Sequence, residues 1–530
     1  MSLSQLGTAP GKVETIEIEA PYVSDPLSAY KAMATPHSIL LESAEIDSKD
    51  NLKSLILVDA ALRIECNGQD IIVTALTDNG LPLIEFLREK LSVYLRKNAD
   101  DHLHVTFPSS GNELDEDARL KQPSVFDVLR TLQQDIQALR EHPHAVFLGG
   151  VFAYDLLASF EQLPDVPKGA NHCPDYVFYL AESLILIDHQ HQSTQILGSV
   201  FSSHNVAHQY FEKQQRLEQI KRQLSDLHRV TFPKAHQASL SELKVDKDDE
   251  HYCKDVLALQ EHILDGDIFQ VVPSRSFSLP CADPLLAYKR LKQTNPSPYM
   301  FYLQDNTFAI FGASPESALK YEQHSNQVEI YPIAGTRPRG KRADGSIDLD
   351  LDSRLELNLQ QDEKEKSEHI MLVDLARNDV AKVCEPGTRF VKDLLKVDRY
   401  SHVMHLVSRV VGQLRKDLDA LHAYQACMNM GTLVGAPKIS AATLIRETEK
   451  CTRGSYGGAV GYLNGNGDFD TCIVIRSAFV SNDVAYIQAG AGVVKDSKPQ
   501  SEADETRAKA QAVIQAIITA NTAAEGGDNA

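Results

Sequence analysis

The sequence predicts an α+β protein in which antiparallel β-sheets are packed on one another and flanked by helices. Three observations predict it. Strand-like stretches come in runs and do not alternate one-for-one with helices, which is the pattern of antiparallel sheets. The helix-like stretches are few and amphipathic. The chain has 530 residues, too many for one ordinary core, so two large domains are expected.

Taken in order, residues 1–20 lack a basic segment followed by an apolar stretch, so they read as a loose start and not as a signal peptide. From about 36 to 200, short alternating runs dominate, among them "SLILVDAALRIEC", "DIIVTAL", "AVFLGGVFAYDLL" and "DYVFYLAESLILIDHQ", with a helix over 123–140. "AHQYFEKQQRLEQIKRQLSDLH" reads as a charged amphipathic helix, and the polar "PKAHQASLSELKVDKDDE" after it as a linker. The expected division is an N-terminal domain (1–203), a helix and linker (204–250), a second domain (251–520) and a disordered tail (521–530). The second domain should hold helices over 251–265, near 362–377, near 418–429 and from about 502. Its strands are expected near 269–278, 299–303, 307–312, 328–333, 457–463, 470–480 and 483–489.

Composition narrows the function. A net charge of -20 argues against a nucleic-acid partner, which needs surplus Lys and Arg, but leaves room for a small anion in a local cationic pocket. The longest apolar run, Ala145 to Tyr154, is too short to span a bilayer. Eight scattered cysteines form no CxxC, which predicts a reducing, cytoplasmic setting and no zinc ribbon.

Several stretches carry chemistry. Glu365 and Glu368 share a helix face at i, i+3, and so do Glu502 and Glu505, whose helix is expected to start at Ser501 as N-cap with Asp504 behind it. Two such pairs could present carboxylates to one hard cation, for which Mg²⁺ is the natural choice. On spacing alone such a pair is far more often a solvated helix face, and Lys509 makes an ordinary i, i+4 partner for Glu505. In "QAGAGVV", Gly490 and Gly492 let backbone approach an anion. Arg476 ends the apolar "FDTCIVIRS" and needs a carboxylate, from a ligand or from the chain itself. Glu316, after Ser314 and Pro315, fits a carboxyl held protonated in a partly apolar pocket, or a turn cap. His402 and His405 lie in an apolar run and could supply a base. Gly335, in "EIYPIAGTRPRG", sits beside Arg337, Arg339, Lys341 and Arg342, a glycine turn with four cations.

In order and combination these stretches resemble the chorismate-utilising enzymes. The matching motifs are "DIFQVVPSRSF", "GASPESAL", "PIAGTRPRG", "EKSEHIMLVDLARND", "GTLVGAPK", "RGSYGGAVGY", "DTCIVIRS" and "IQAGAGVVKDSKPQSEADET", covering most of the second domain. The resemblance implies that family's two-domain fold and the branch that aminates chorismate with ammonia, then eliminates pyruvate to leave anthranilate. It implies Mg²⁺ between the ring carboxylate and Glu368 and Glu505, with Glu365 and Glu502 close by. Gly335, Thr336, Tyr456, Arg476, Gly490, Ala491 and Gly492 would grip the substrate. Glu316 would protonate the leaving 4-hydroxyl and His405 would take the ring proton. The four cations would serve the dicarboxylate substrate. Ala334 stands where aminodeoxychorismate-forming relatives have a nucleophilic lysine, and Gln270 where isochorismate-forming relatives have a water-activating one, which leaves ammonia as the attacking group. No cysteine has a Gly-x-Cys-x-Gly context, so the resemblance implies a separate glutamine amidotransferase, in an assembly of two large and two small subunits. It also implies an L-tryptophan feedback site at Glu42, Ser43, Pro298, Tyr299, Met300 and Cys472.

Overall fold

The computed structural model describes residues 6–7, 10–43, 52–109, 114–232, 243–342, 344–400 and 403–525. Antiparallel ladders form two facing sheets. One runs Lys12–Ala20, Ser193–Phe201, Tyr176–Asp188, Lys53–Asn67, Ser38–Glu42, Tyr299–Gln304, Ala309–Ser314, Ser477–Ser481, Val484–Gly490 and Ser274–Pro280. The other leaves Tyr176–Asp188 through Phe147–Phe152, then Ala459–Asn464, Phe469–Ile473, Ser317–Glu322, Gln327–Ile330, Val403–Gln413 and Phe390–Arg399. Strands from the two halves of the chain therefore hydrogen-bond directly at two seams.

Period-two alternation sets the layers. On Tyr299–Gln304, Phe301 and Leu303 enter a core between the sheets with Phe147, Val460, Cys472 and Phe479. Met300 and Tyr302 point the other way, into a core beneath helices Pro284–Thr294 and Pro499–Glu525. A third core lies outside the second sheet, under Asp249–Asp265, Ala420–Cys427 and Lys438–Glu449. The α+β sandwich flanked by helices is the expected class.

The boundaries differ in instructive places. Residues 12–20 are not loose: "KVETIEIEA" pairs along its length with Ser193–Phe201 and buries Val13 and Ile16. The expected helix over 123–140 is only Asp127–Asp135. The strand expected at 269–278 breaks at Pro273, which has no N–H to give a ladder. The last helix starts at Pro499, so Ser501 lies inside its first turn and is not its N-cap; proline suits a first helical position, whose N–H has no partner anyway. That helix continues to Glu525, so 521–525 are helical, while 526–530 lie outside the described residues, as do 233–242 of the expected linker. Helices Pro284–Thr294, Leu349–Gln361 and Lys438–Glu449 were not anticipated, although Asp283 and Asp348 cap the first two.

Candidate active site

The site lies where the chain changes sheets. Strand Ala309–Ser314 belongs to the first sheet and Ser317–Glu322 to the second, and Glu316 occupies the crossing. Phe469–Ile473 belongs to the second and Ser477–Ser481 to the first, and Arg476 ends that crossing with φ at 50°, in the left-handed region. The predicted single strand over 470–480 is thus two strands. The crossings lie against each other: the Ala313 N–H donates to the Arg476 carbonyl at 3.1 Å, and the Ile473 N–H to the Glu316 carbonyl at 3.0 Å. Sheets splay at such a point, and a cavity of about 170 Å³ opens there, lined by Pro298, Pro315, Thr336, His405, Arg476 and Lys509 among others.

Glu316 is buried, and burial pushes its carboxyl up to about 8, against the Thr432 hydroxyl, which donates to Oε1 at 3.1 Å. It is an acid at neutral pH. His405 is buried on Val403–Gln413, with Tyr400 edge-on to its ring at 5.3 Å. Its Nδ1 lies 3.2 Å from the Gly335 carbonyl and 3.0 Å from the Thr336 hydroxyl. A carbonyl only accepts, so the proton is on Nδ1 and Nε2 keeps a lone pair. Burial holds the ring down to about 4, so it is neutral but a weak base until an anion lies beside it. Gly335 makes this contact possible. It is the extra residue of a bulge between Ala334 and Thr336, with φ at 70°. His402 lies outside the described residues.

Arg476 answers the question its sequence raised. Among the described residues its guanidinium makes no hydrogen bond or ion pair, and burial lowers its affinity for the proton. A partly buried arginine without a carboxylate is built to receive one. Tyr456 is buried, with its hydroxyl 3.1 Å from where a β-carbon on Gly490 would sit. Gly490 ends Val484–Gly490, and the N–H of Ala491 bonds the Pro273 carbonyl. A β-carbon on Gly492 would fall 2.6 Å from Gln270 Nε2, so any larger residue there would have to displace that amide from Glu368.

The two E-x-x-E pairs fare differently. Glu368, on Glu363–Val383, forms no ion pair among the described residues and accepts from Gln270 Nε2 at 3.1 Å. Burial raises its pKa, followed by the charges of Glu365 and Glu505. Glu365 pairs with Arg337 at 3.1 Å and Glu505 with Lys509 at 2.7 Å, while Glu502 is buried beside Tyr252. Among the described residues no three metal-ligating side chains form a ready-made cage. Converging carboxylates around an unpaired Glu368 nevertheless fit a hard cation that takes its other ligands from water and substrate.

Two readings are corrected here. The cations of "GTRPRGKR" do not reach the cavity: Arg337 is held by Asp362 at 2.7 Å and by Glu365, Arg339 by Asp352 at 2.9 Å, and Arg342 lies 3.7 Å from Asp348. They brace this segment against the acidic helix Leu349–Gln361 and its C-terminal neighbour Asp362. Lys509 is more than a surface partner of Glu505, because its Nζ also donates to the Gly490 carbonyl at 3.0 Å and lines the cavity. Sequence reasoning gave no role to Thr432, although it stands in "GTLVGAPK", or to Tyr400, because neither residue type announces its partner across the fold.

The second constellation also assembles in part. Glu42 sits opposite Met300 in the ladder, accepts from the Tyr288 hydroxyl at 2.7 Å and pairs with Lys292. The Tyr299 hydroxyl lies 3.4 Å from Asp470, close to Cys472. Ser43 follows Glu42 at the edge of the described chain. Pro298, one residue before Tyr299, lines the cavity that holds His405 and Arg476.

A sandwich that sets a neutral imidazole and an arginine without an ion pair in one cavity, with a protonated carboxyl at the adjoining sheet crossing, is an arrangement for chemistry on a small carboxylate, and comparison places it. Residues 92–515 match the model of the chorismate binding enzyme family, to which the chain belongs. Within that family it falls among the anthranilate synthase component 1 enzymes: it is 57% identical over 98% of both chains to that of Vibrio cholerae, and 55% identical to that of Escherichia coli, over 97% of this chain and 98% of the relative. The crystal structure of anthranilate synthase component I from Streptococcus pneumoniae superposes with a TM-score of 0.65 at 28% identity, covering 94% of this chain and 99% of that one. The menaquinone-specific isochorismate synthase of Escherichia coli shares the fold, with a TM-score of 0.64 at 17% identity over 97% of each chain. Among the described residues no helix is long and apolar enough to cross a membrane.

Proposed function

We propose that this chain converts chorismate and ammonia to anthranilate, pyruvate and water in the cytoplasm, as the first committed step towards L-tryptophan. The observation that carries the reading is the protonated Glu316 at the sheet crossing that packs against the Arg476 crossing, with the neutral His405 lining the same cavity as Arg476. Arg476 and the Gly490–Gly492 backbone hold substrate carboxylate, and Tyr456 adds a hydroxyl. Glu368 and Glu505 would hold Mg²⁺, which when bound offsets the charge of the ring carboxylate. Ammonia forms the bond to ring carbon 2, and Glu316 donates its proton to the 4-hydroxyl, which leaves as water. His405 Nε2 then accepts the proton from carbon 2 as the ether bond at carbon 3 breaks and pyruvate departs. Ala334 and Gln270 carry no amine that could compete with ammonia. Ammonia comes from a glutamine amidotransferase subunit, in an assembly of two large and two small chains.

L-tryptophan is proposed to bind at Glu42, Ser43, Pro298, Tyr299, Met300 and Cys472 and to weaken chorismate binding, as coupling between two sites requires. Strand Tyr299–Gln304 supports this reading, since its start adjoins Glu42 on one side and the cavity, through Pro298, on the other. Ser43→Phe is expected to keep activity and raise the tryptophan concentration for half-inhibition at least about tenfold, because a phenyl ring would fill the pocket. Unaltered sensitivity would place the effector elsewhere.

The purified chain mixed with chorismate, MgCl₂ and an ammonium salt should produce anthranilate fluorescence against a dark background, since the protein contains no tryptophan. The signal should vanish with EDTA and fall when L-tryptophan is added. An amino-chorismate that retains its enolpyruvyl group would instead assign the chain to aminodeoxychorismate formation.

A further inference from the structure

The loop that carries Tyr456 is anchored from the other half of the chain. Residues 451–458 join helix Lys438–Glu449 to strand Ala459–Asn464. Oδ2 of the buried Asp155 accepts the N–H groups of Arg453 and Gly454, each at 2.8 Å, and Oδ1 accepts Arg446 Nη2 at 2.9 Å. The Tyr154 N–H donates to the Gly454 carbonyl at 2.9 Å. Asn171, also buried, accepts from the Ser455 N–H at 3.3 Å and donates to its hydroxyl at 3.0 Å. Gly454 takes φ 61°, and a β-carbon there would meet both oxygens of Asn171 at 2.3 Å. The guanidinium of Arg453 lies over the rings of Tyr154 and Tyr456, at 4.6 and 5.6 Å. Two residues past Gly454, Tyr456 reaches Gly490.

We propose that Asp155 and Asn171 are positioning residues for the substrate site: from the N-terminal half they fix loop 451–458 and so aim the Tyr456 hydroxyl at the Gly490–Gly492 backbone. This rests on Tyr456 holding substrate. Without the carboxylate, two buried N–H groups and an arginine lose their acceptor at once, and a loop with a left-handed glycine gains alternative conformations. Substrate binding must then reorder it, which weakens binding without touching the reacting atoms.

The test is a mutant cycle in the ammonia-dependent assay. In Asp155→Asn the amide cannot accept from both the loop and Arg446, so the KM for chorismate should rise about tenfold, with kcat and the KM for ammonium nearly unchanged. Tyr456→Phe should raise the same KM. Because both act through one hydroxyl, the double variant should be no worse than the poorer single variant. Multiplying effects, or an unchanged KM in Asp155→Asn beside a raised one in Tyr456→Phe, would overturn the positioning role and leave the role of Tyr456 intact. An unchanged KM in Tyr456→Phe would sink both. Should Asp155→Asn fail to fold, as judged by its thermal transition, Asn171→Ser enters the same cycle with the same decision.

Discussion

Glu316→Gln should lower anthranilate formation by roughly 10²–10⁴-fold, the range for losing a general acid. Glutamine keeps the volume and can still accept from Thr432, so thermal stability should hardly change and the loss should be in kcat. The wild-type pH profile provides the sharper check. The carboxyl is pushed up to about 8 and must be protonated to donate. It stays protonated through neutrality and ionises as the pH rises past about 8, so kcat at saturating chorismate and ammonia should decline on that alkaline limb. The residual activity of Glu316→Gln should lack the limb. A limb that persists unchanged in the variant would belong to another group and would remove Glu316 from the acid role.

Arg476→Gln should cut kcat/KM for chorismate on the order of 10²-fold, most of it in KM, because a buried carboxylate would lose its counter-charge. Arg476→Lys should recover only part, since a point charge cannot grip both oxygens. Stability should move the other way. Among the described residues Arg476 is a partly buried charge without a hydrogen bond or ion pair to its guanidinium, set on a left-handed backbone. Removing the charge should leave the thermal midpoint unchanged or raise it, the usual trade between a site built for ligand and a site built for stability. A midpoint that falls as if an ion pair had been broken would show that Arg476 serves the fold, and the substrate role would go with it.

The sandwich class was legible in the sequence because side-chain alternation has a fixed period wherever a sheet is half buried, as in Phe301 and Leu303 against Met300 and Tyr302. The candidates Glu316, His405, Arg476 and the paired glutamates could be picked out because they stand in ordered motifs. Three things were not legible. The strand at 12–20 is polar on its exposed side and needs Ser193–Phe201 to be recognised as structure. Charge pairing across space reversed the reading of Arg337 and Arg339, which face Asp362 and Asp352 and not the cavity. The tie between Asp155 and loop 451–458 joins residues almost 300 apart, with no periodicity to announce it.

By itself, then, the sequence determined which side chains have the chemistry for this reaction and which layers they could occupy, since both follow from residue type and local spacing. The tertiary structure decided how each of them is held. The crossing of the chain between two sheets desolvates Glu316 until it holds its proton and leaves Arg476 without an ion pair among the described residues, while the bulge at Gly335 sets His405 with its Nε2 lone pair free. Desolvation and pairing are long-range properties, fixed by what packs against a group and not by its neighbours along the chain.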